Sequence, residues 1–193
     1  MKHLSAYELA AAAAAFALMA ALSFAPFVFL LPVLFVCCTR GLRLSLLSGL
    51  FFGLLSMALS FMGTSPLSYA FMQAPWIPVA ARVLGAGLTW GAGRLFAFLF
   101  RKTPEKRRYL RYGLTAAAGS LFNTLLVGGA VLLFAPVAAG REGDIILSAV
   151  LPAIIALNAP IELAVNTLVV PLLCMAVTKM EGRLPKRRDG ADR

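Results

Sequence analysis

Residues 113–134 read GLTAAAGSLFNTLLVGGAVLLF, twenty-two positions without one ionisable side chain. At 1.5 Å per helical residue this stretch is about 33 Å long, enough to cross a hydrocarbon layer of about 30 Å. Its glycines, serine and asparagine suit that setting, where small residues let helices approach and amides bond between them. On its N-terminal side lies a cationic run of Arg101, Lys102, Lys106, Arg107, Arg108 and Arg111. An apolar span with a basic flank is the pattern of a helix whose flank faces the cytoplasm.

The same alternation extends in both directions. Apolar spans cover about residues 6–24, 26–38, 44–62, 79–100 and 113–134, and a sixth ends near Val177 after Pro152, Pro160 and Pro171. The second is short and holds Pro32. Joined to the first it would make one span far longer than the usual 17–25 residues, so two spans are expected. Residues 1–180 therefore read as a single all-α membrane domain of six transmembrane helices, and residues 181–193 as a basic cytoplasmic tail.

Composition agrees. Of 193 residues, 61% are hydrophobic and 13% charged, against roughly half and a quarter in soluble domains. A soluble enzyme domain and a disordered regulator are excluded on that ground. The net charge of +10 would suit a nucleic-acid binder only if it formed a continuous basic face. It instead falls in blocks between apolar runs: Arg40 and Arg43, then Arg101 to Arg111, then Lys179, Arg183, Lys186, Arg187 and Arg188. With Lys2, these blocks place both termini and the linkers after the second and fourth spans on one side, the cytoplasm. They also offer attraction to the anionic headgroups of the bilayer. Nucleic acid is not an expected partner.

Cys37, Cys38 and Cys174 lie within apolar runs and read as small buried hydrophobes. The single histidine, His3, stands at the polar N-terminus, so histidine catalysis and ordinary zinc sites inside the spans are not expected. Neither a metal nor another cofactor is called for, and no enzyme activity. No segment reads as a phosphate-binding loop for ATP. Lys2 and His3 resemble a charged leader, but the apolar stretch behind them runs too long for a cleaved signal peptide.

A charged side chain deep in a span costs about 2.5–3.5 kcal/mol on insertion, so each needs a reason. Glu162 is the acidic residue deep in the sixth span. Asn158 and Asn166 lie four residues to either side, which makes one polar stripe. Asn123 lies mid-way along the fifth span, and Arg82 enters the fourth from the outer side. A structural reading has the asparagines bridge helices and Glu162 pair with an arginine. A functional reading has Arg82, Asn123, Asn158 and Glu162 line a polar cavity open to the outside. Arg94 lies near the cytoplasmic end and can extend to the surface.

Residues 64–78 form an uncharged connection with Tyr69, Gln73 and Trp76 among several prolines. It is either an interfacial aromatic belt or a lid over a bound molecule. Gly49 and Gly53 form a close-packing GxxxG pair, and Gly87 with Gly91 a second. In the first span Ala6, Ala10 and Ala14 repeat at the spacing that admits another helix.

Three of these segments together resemble the substrate-binding S components of energy-coupling factor (ECF) vitamin transporters. Ala81-Arg82-Val83-Leu84-Gly85-Ala86-Gly87-Leu88 resembles their Pro-Arg-x-Leu-x-Gly-type span start, with alanine where the family often has proline. Gly119-Ser120-Leu121-Phe122-Asn123-Thr124-Leu125-Leu126-Val127 is similar to their Gly-Ser-x-x-Asn-Thr-x-Leu-Val stretch. Asn158-Ala159-Pro160-Ile161-Glu162 is similar to their Asn-x-x-x-Glu helix, with a proline inside it. The alanine-rich first span is similar to the face those proteins turn to their transmembrane T component.

The resemblance implies a multi-pass protein of a prokaryotic inner or plasma membrane. It would capture a water-soluble vitamin outside and release it inside, within a complex holding a T component and two ATPase subunits. Binders of pantothenate, folate, riboflavin and cobalamin share these motifs. Arg82 suits a carboxylate, which puts pantothenate first and folate second. The rival expectations are a small proton-coupled carrier working through Glu162 and a membrane assembly protein with no transported ligand.

Overall fold

A computed structural model of the chain describes residues 6–22, 28–63, 67–101, 108–145, 149 and 151–181. These residues form helices and the turns between them, with no strand among the described residues. The helices are α1 (Ala6–Leu22), α2 (Leu31–Thr39), α3 (Leu42–Phe61), α4 (Ser68–Gln73), α5 (Trp76–Leu99), α6 (Arg108–Ile145) and α7 (Leu151–Glu181). The basic tail expected from residue 181 on falls almost wholly outside the described residues, as do Lys2, His3, Lys102, Lys106 and Arg107.

Four long helices pack in the sequence α3, α5, α6, α7, each on the next. Neighbours run antiparallel. Gly53 of α3 meets Val79 at the start of α5, while Gly93 near the end of α5 meets Thr115 near the start of α6. Gly113 of α6 meets Thr167 and Pro171 of α7, and the Tyr109 hydroxyl donates to the Leu168 carbonyl at 3.4 Å. The short α2 wedges against α3, α5, α6 and α7, and α1 lies outside it on α2 and α3.

The α3–α5 seam is built from small residues. Ser45, Ser48, Gly49, Gly53, Ser56 and Ser60 line the buried face of α3. A Cβ on Gly49 would lie 2.7 Å from both the Ala86 Cβ and the Arg82 carbonyl oxygen, and one on Gly53 2.6 Å from the Val79 Cα. Only hydrogen fits there, as the spacing predicts. The seam serines bond their own helix, Ser48 to the Ser45 carbonyl at 2.7 Å and Ser60 to that of Ser56 at 2.8 Å. Gly63 closes α3 with a φ of 69°, a left-handed turn that side chains disfavour. The second pair behaves differently: Gly87 faces Leu46, but Gly91 faces open space, so it packs no helix.

The outer surface is rich in large apolar side chains, and the interior holds small polar residues beside its hydrophobic core. Leu84, Leu88, Leu121, Leu125, Leu133, Leu157, Leu168 and Leu172 are exposed, while Thr89, Thr115, Ser120 and Asn166 are buried. Hydrocarbon surroundings favour that distribution, because large apolar groups gain nothing by turning inward and small polar ones must bond within the bundle. Three helical segments, Leu42–Phe61, Arg108–Phe134 and Leu151–Met180, are long and apolar enough to cross a membrane. α5 has the length, but Arg82, Arg94 and four glycines make it less apolar.

Several boundaries differ from the sequence reading. α2 begins at Leu31, with Pro32 in its first turn, where a missing N–H leaves no bond unmade. Nine residues reach about 14 Å, less than half a hydrocarbon layer. The connection at 64–78 contains α4, and α5 starts at Trp76 rather than Val79. α6 extends through 135–145, past the end of the fifth apolar span at Phe134. α7 runs continuously through Pro160 and Pro171.

Candidate functional site

The described Arg and Lys side chains cluster at one end of the bundle, with one exception. Arg40, Arg43, Arg94, Arg101, Arg108, Arg111 and Lys179 lie near the start of α3 and α6 or the end of α2, α5 and α7. Arg82 sits in the other half, on the second turn of α5. Its Nη1 donates to the Asn123 Oδ1 of α6 at 2.9 Å. Its guanidinium lies 4.4 Å from the ring centre of Phe52 of α3, a cation–π contact on its opposite flank. Its Nε is enclosed and has no hydrogen-bond partner. Glu162 of α7, half-buried, acts on this guanidinium through space as the neighbouring opposite charge.

The Gly-Ser-x-x-Asn stretch of α6 explains how these groups meet. Gly119 admits the Leu34 side chain of α2 and Thr89 of α5 at closer range than a Cβ would allow. One residue on, the Ser120 Oγ accepts a bond of 2.8 Å from the Nδ2 of Asn166 on α7. Three residues further, on the same face, Asn123 holds Arg82. A single helical turn of α6 therefore fixes α2, α5 and α7 around itself. Asn166 is wholly buried and its Oδ1 has no partner.

Of the residues expected to form the site, Arg82 and Asn123 touch, and Glu162 stands beside them in charge range. Asn158 is half-buried one turn before Glu162 on α7. Asn166 and Asn123 bridge helices, and Asn158 makes no side-chain bond among the described residues. Phe52 and Ser120 are participants that sequence reasoning did not single out. Ser120 stands inside the quoted motif, whereas Phe52 is one of 14 phenylalanines with nothing local to mark it.

The connection expected as belt or lid is anchored. Leu67, Ala70, Phe71 and Ala74 are buried with Ile77, Ala81, Val127, Val131 and Leu151, and Tyr69 packs on that cluster. Trp76 is 50% exposed and meets Phe134 of α6 edge-on, with ring centres 4.6 Å apart. Gln73 ends α4, and its side chain lies outside the described residues. On α1, Met19 and Ala15 turn inward while Ala10 and Ala14 are exposed, and the side chain of Ala6 lies outside the described residues.

No group of three or more His, Cys, Asp or Glu side chains arranged to hold a metal occurs among the described residues. No protein family, curated protein or solved structure matches this chain. The likeness to S components therefore stands on the three sequence motifs alone. Chemically, the arrangement offers a desolvated guanidinium, an amide already turned toward it, and a carboxylate that balances charge.

Proposed function

We propose that this chain is the substrate-binding S component of an ECF-type importer. It captures a small carboxylated vitamin from the outer side, pantothenate ahead of folate, for ATP-driven uptake. The observation that carries this is the enclosed Nε of Arg82, an unused donor beside a guanidinium nitrogen already oriented by Asn123. A ligand carboxylate would take the Nε edge in a charge-assisted bond. Asn158 and Glu162 would meet its amide and hydroxyl groups.

The surrounding features fit the same reading. With the arginine-rich end in the cytoplasm, Arg82 stands on the external half, where a solute from outside first arrives. That orientation corresponds to six spans with both termini cytoplasmic, α2 being a partial one. α4 sits over the external half as the natural cover of the site. The exposed alanines of α1 offer a T component a surface without bulk.

Calorimetry on the purified chain tests the reading directly. Pantothenate should bind, and Arg82→Ala should weaken it at least about tenfold, the loss expected for one charge-assisted bond. Equal affinity in Arg82→Ala, or binding of an uncharged vitamin alone, overturns the anion site.

A further inference from the structure

At the opposite end of the bundle a cavity of about 310 Å³ lies where α2 and α5 end and α3 and α6 begin. Thr39, Arg40, Trp90, Arg94, Arg111 and Tyr112 stand on its wall, and among the described residues no carboxylate does. Arg94 and Arg111 bring two guanidiniums to one space, and their repulsion is relieved when an anion lies between them. Both are held by rings: Arg94 lies 5.1 Å from the centre of Trp90 and Arg111 4.9 Å from that of Tyr112. Stacking fixes the plane of a guanidinium and leaves its N–H edge for an oxygen. The Thr39 and Thr115 hydroxyls donate to their own helices, to the Phe35 carbonyl at 2.7 Å and that of Arg111 at 2.8 Å. Arginine is thus the donor facing the cavity. α3 starts at Gly41 on the same wall with no side-chain cap, so its positive end adds to the field.

We infer that this cavity binds a phosphate group, held by Arg94 and Arg111. A tetrahedral anion with three or more oxygens matches converging forks better than a carboxylate with two. The volume is at the lower end for small-molecule sites, room for a phosphate with a glycerol- or ribose-sized group. Two sources share that chemistry: the headgroup of an anionic lipid in the adjacent leaflet, and a soluble phosphate ester. Leu95, Phe98 and Leu99, exposed on the last turns of α5, offer an acyl chain a path beside the cavity. Basic pockets between helices at the cytoplasmic face attract such headgroups. The lipid source rests on the membrane reading above; the phosphate site itself does not, and it lies about 18 Å along α5 from Arg82.

The test uses the full chain in neutral detergent, with no vitamin present, so that failure of vitamin binding leaves it unaffected. One arm titrates phosphatidylglycerol against phosphatidylcholine, the other glycerol 3-phosphate and inorganic phosphate, each read by native mass spectrometry and thermal shift. At least one phosphate probe should bind saturably, and Arg94→Gln with Arg111→Gln should weaken it about tenfold or more. Saturation by phosphatidylglycerol alone names the lipid as source; saturation by the esters names a soluble one. Arg94 is exposed, so Arg94→Gln alone keeps the test open if the double variant does not fold. Arg101→Gln, as basic but off the wall, should bind as the parent does. Absence of saturable binding in both arms, or equal loss in Arg101→Gln, overturns the site.

Discussion

A guanidinium placed inside a bundle is stable only where its positive charge finds partners, and Arg82 has three of different kinds. Asn123 accepts a hydrogen bond, Phe52 offers a ring face, and Glu162 supplies opposite charge. Lysine would keep the charge but not the planar fork that rests on the ring while reaching the amide. Arg82→Lys should therefore bind ligand little better than Arg82→Ala, which calorimetry on the two variants resolves. Stability depends more on the seam. Losing the Asn166–Ser120 bond removes about 0.6–2 kcal/mol, the range for interhelical bonds in membranes. Adding side chain at Gly53 drives a Cβ into the Val79 backbone, and overpacking of that kind typically costs about 1–3 kcal/mol, more against backbone than against a side chain. Gly53→Val should thus lower the unfolding midpoint in detergent further than Asn166→Leu. The reverse order would mean that α3 and α5 separate easily and the amide dominates. At this scale the sequence was readable where a residue type is unusual for its setting. Arg82, Asn123 and Glu162 stand out in apolar spans; Arg82 and Asn123 do meet, with the charge of Glu162 acting on the same guanidinium, and Gly49 and Gly53 stand where backbones touch. Phe52 and Ser120 did not stand out, because aromatic rings and hydroxyls are ordinary there and their roles depend on the partner helix.

The helices show a different limit. Hydropathy marks where an apolar stretch ends, but a helix ends where its backbone bonds end. α6 accordingly continues to Ile145, past the last apolar residue of its span. α4 was missed for a related reason: six residues are too few for a periodic signal, and its stability comes from burying Ala70 and Phe71 against other helices. Proline ordinarily breaks a helix, yet α7 continues through Pro160 and Pro171, because neighbouring groups and local adjustment make up the lost bonds within a bundle. α1 carries the partner prediction. Ala10 and Ala14 point away from the core on a helix whose inner face is marked by Ala15 and Met19. Replacing either exposed alanine by tryptophan adds bulk where no described residue packs. Ala14→Trp should therefore leave ligand affinity within about twofold, as surface changes do, yet abolish ATP-driven uptake in vesicles containing the T component and ATPases. Loss of binding by the isolated variant would show that the alanines pack the bundle itself.

Across the whole molecule, the ends are unlike. One gathers seven described basic side chains, and the other holds Arg82, engaged within the bundle. Lys and Arg in short connections resist transfer across a membrane, so the proposed topology keeps the basic end in the cytoplasm and orients every helix from it. Antiparallel packing of α3, α5, α6 and α7 leaves no freedom to orient one helix differently from the rest. The sequence disclosed this polarity directly, since charge blocks need no fold to be counted; it could not disclose which helices touch, because that depends on small-residue seams distributed over three segments. The expected outcome is unambiguous. A green fluorescent protein fused after Arg193 should fluoresce, and an alkaline phosphatase inserted at Gly140, near the far end of α6, should be active, as that enzyme matures only outside the cytoplasm. Neutralising the block at Arg108 and Arg111 with glutamine should begin to mix the two signals by weakening the bias that sets the orientation. If the parent protein shows the opposite pattern, Arg82 and Asn158 face the cytoplasm. Capture of a vitamin from outside then has no site to act through, whatever ligand the purified chain binds.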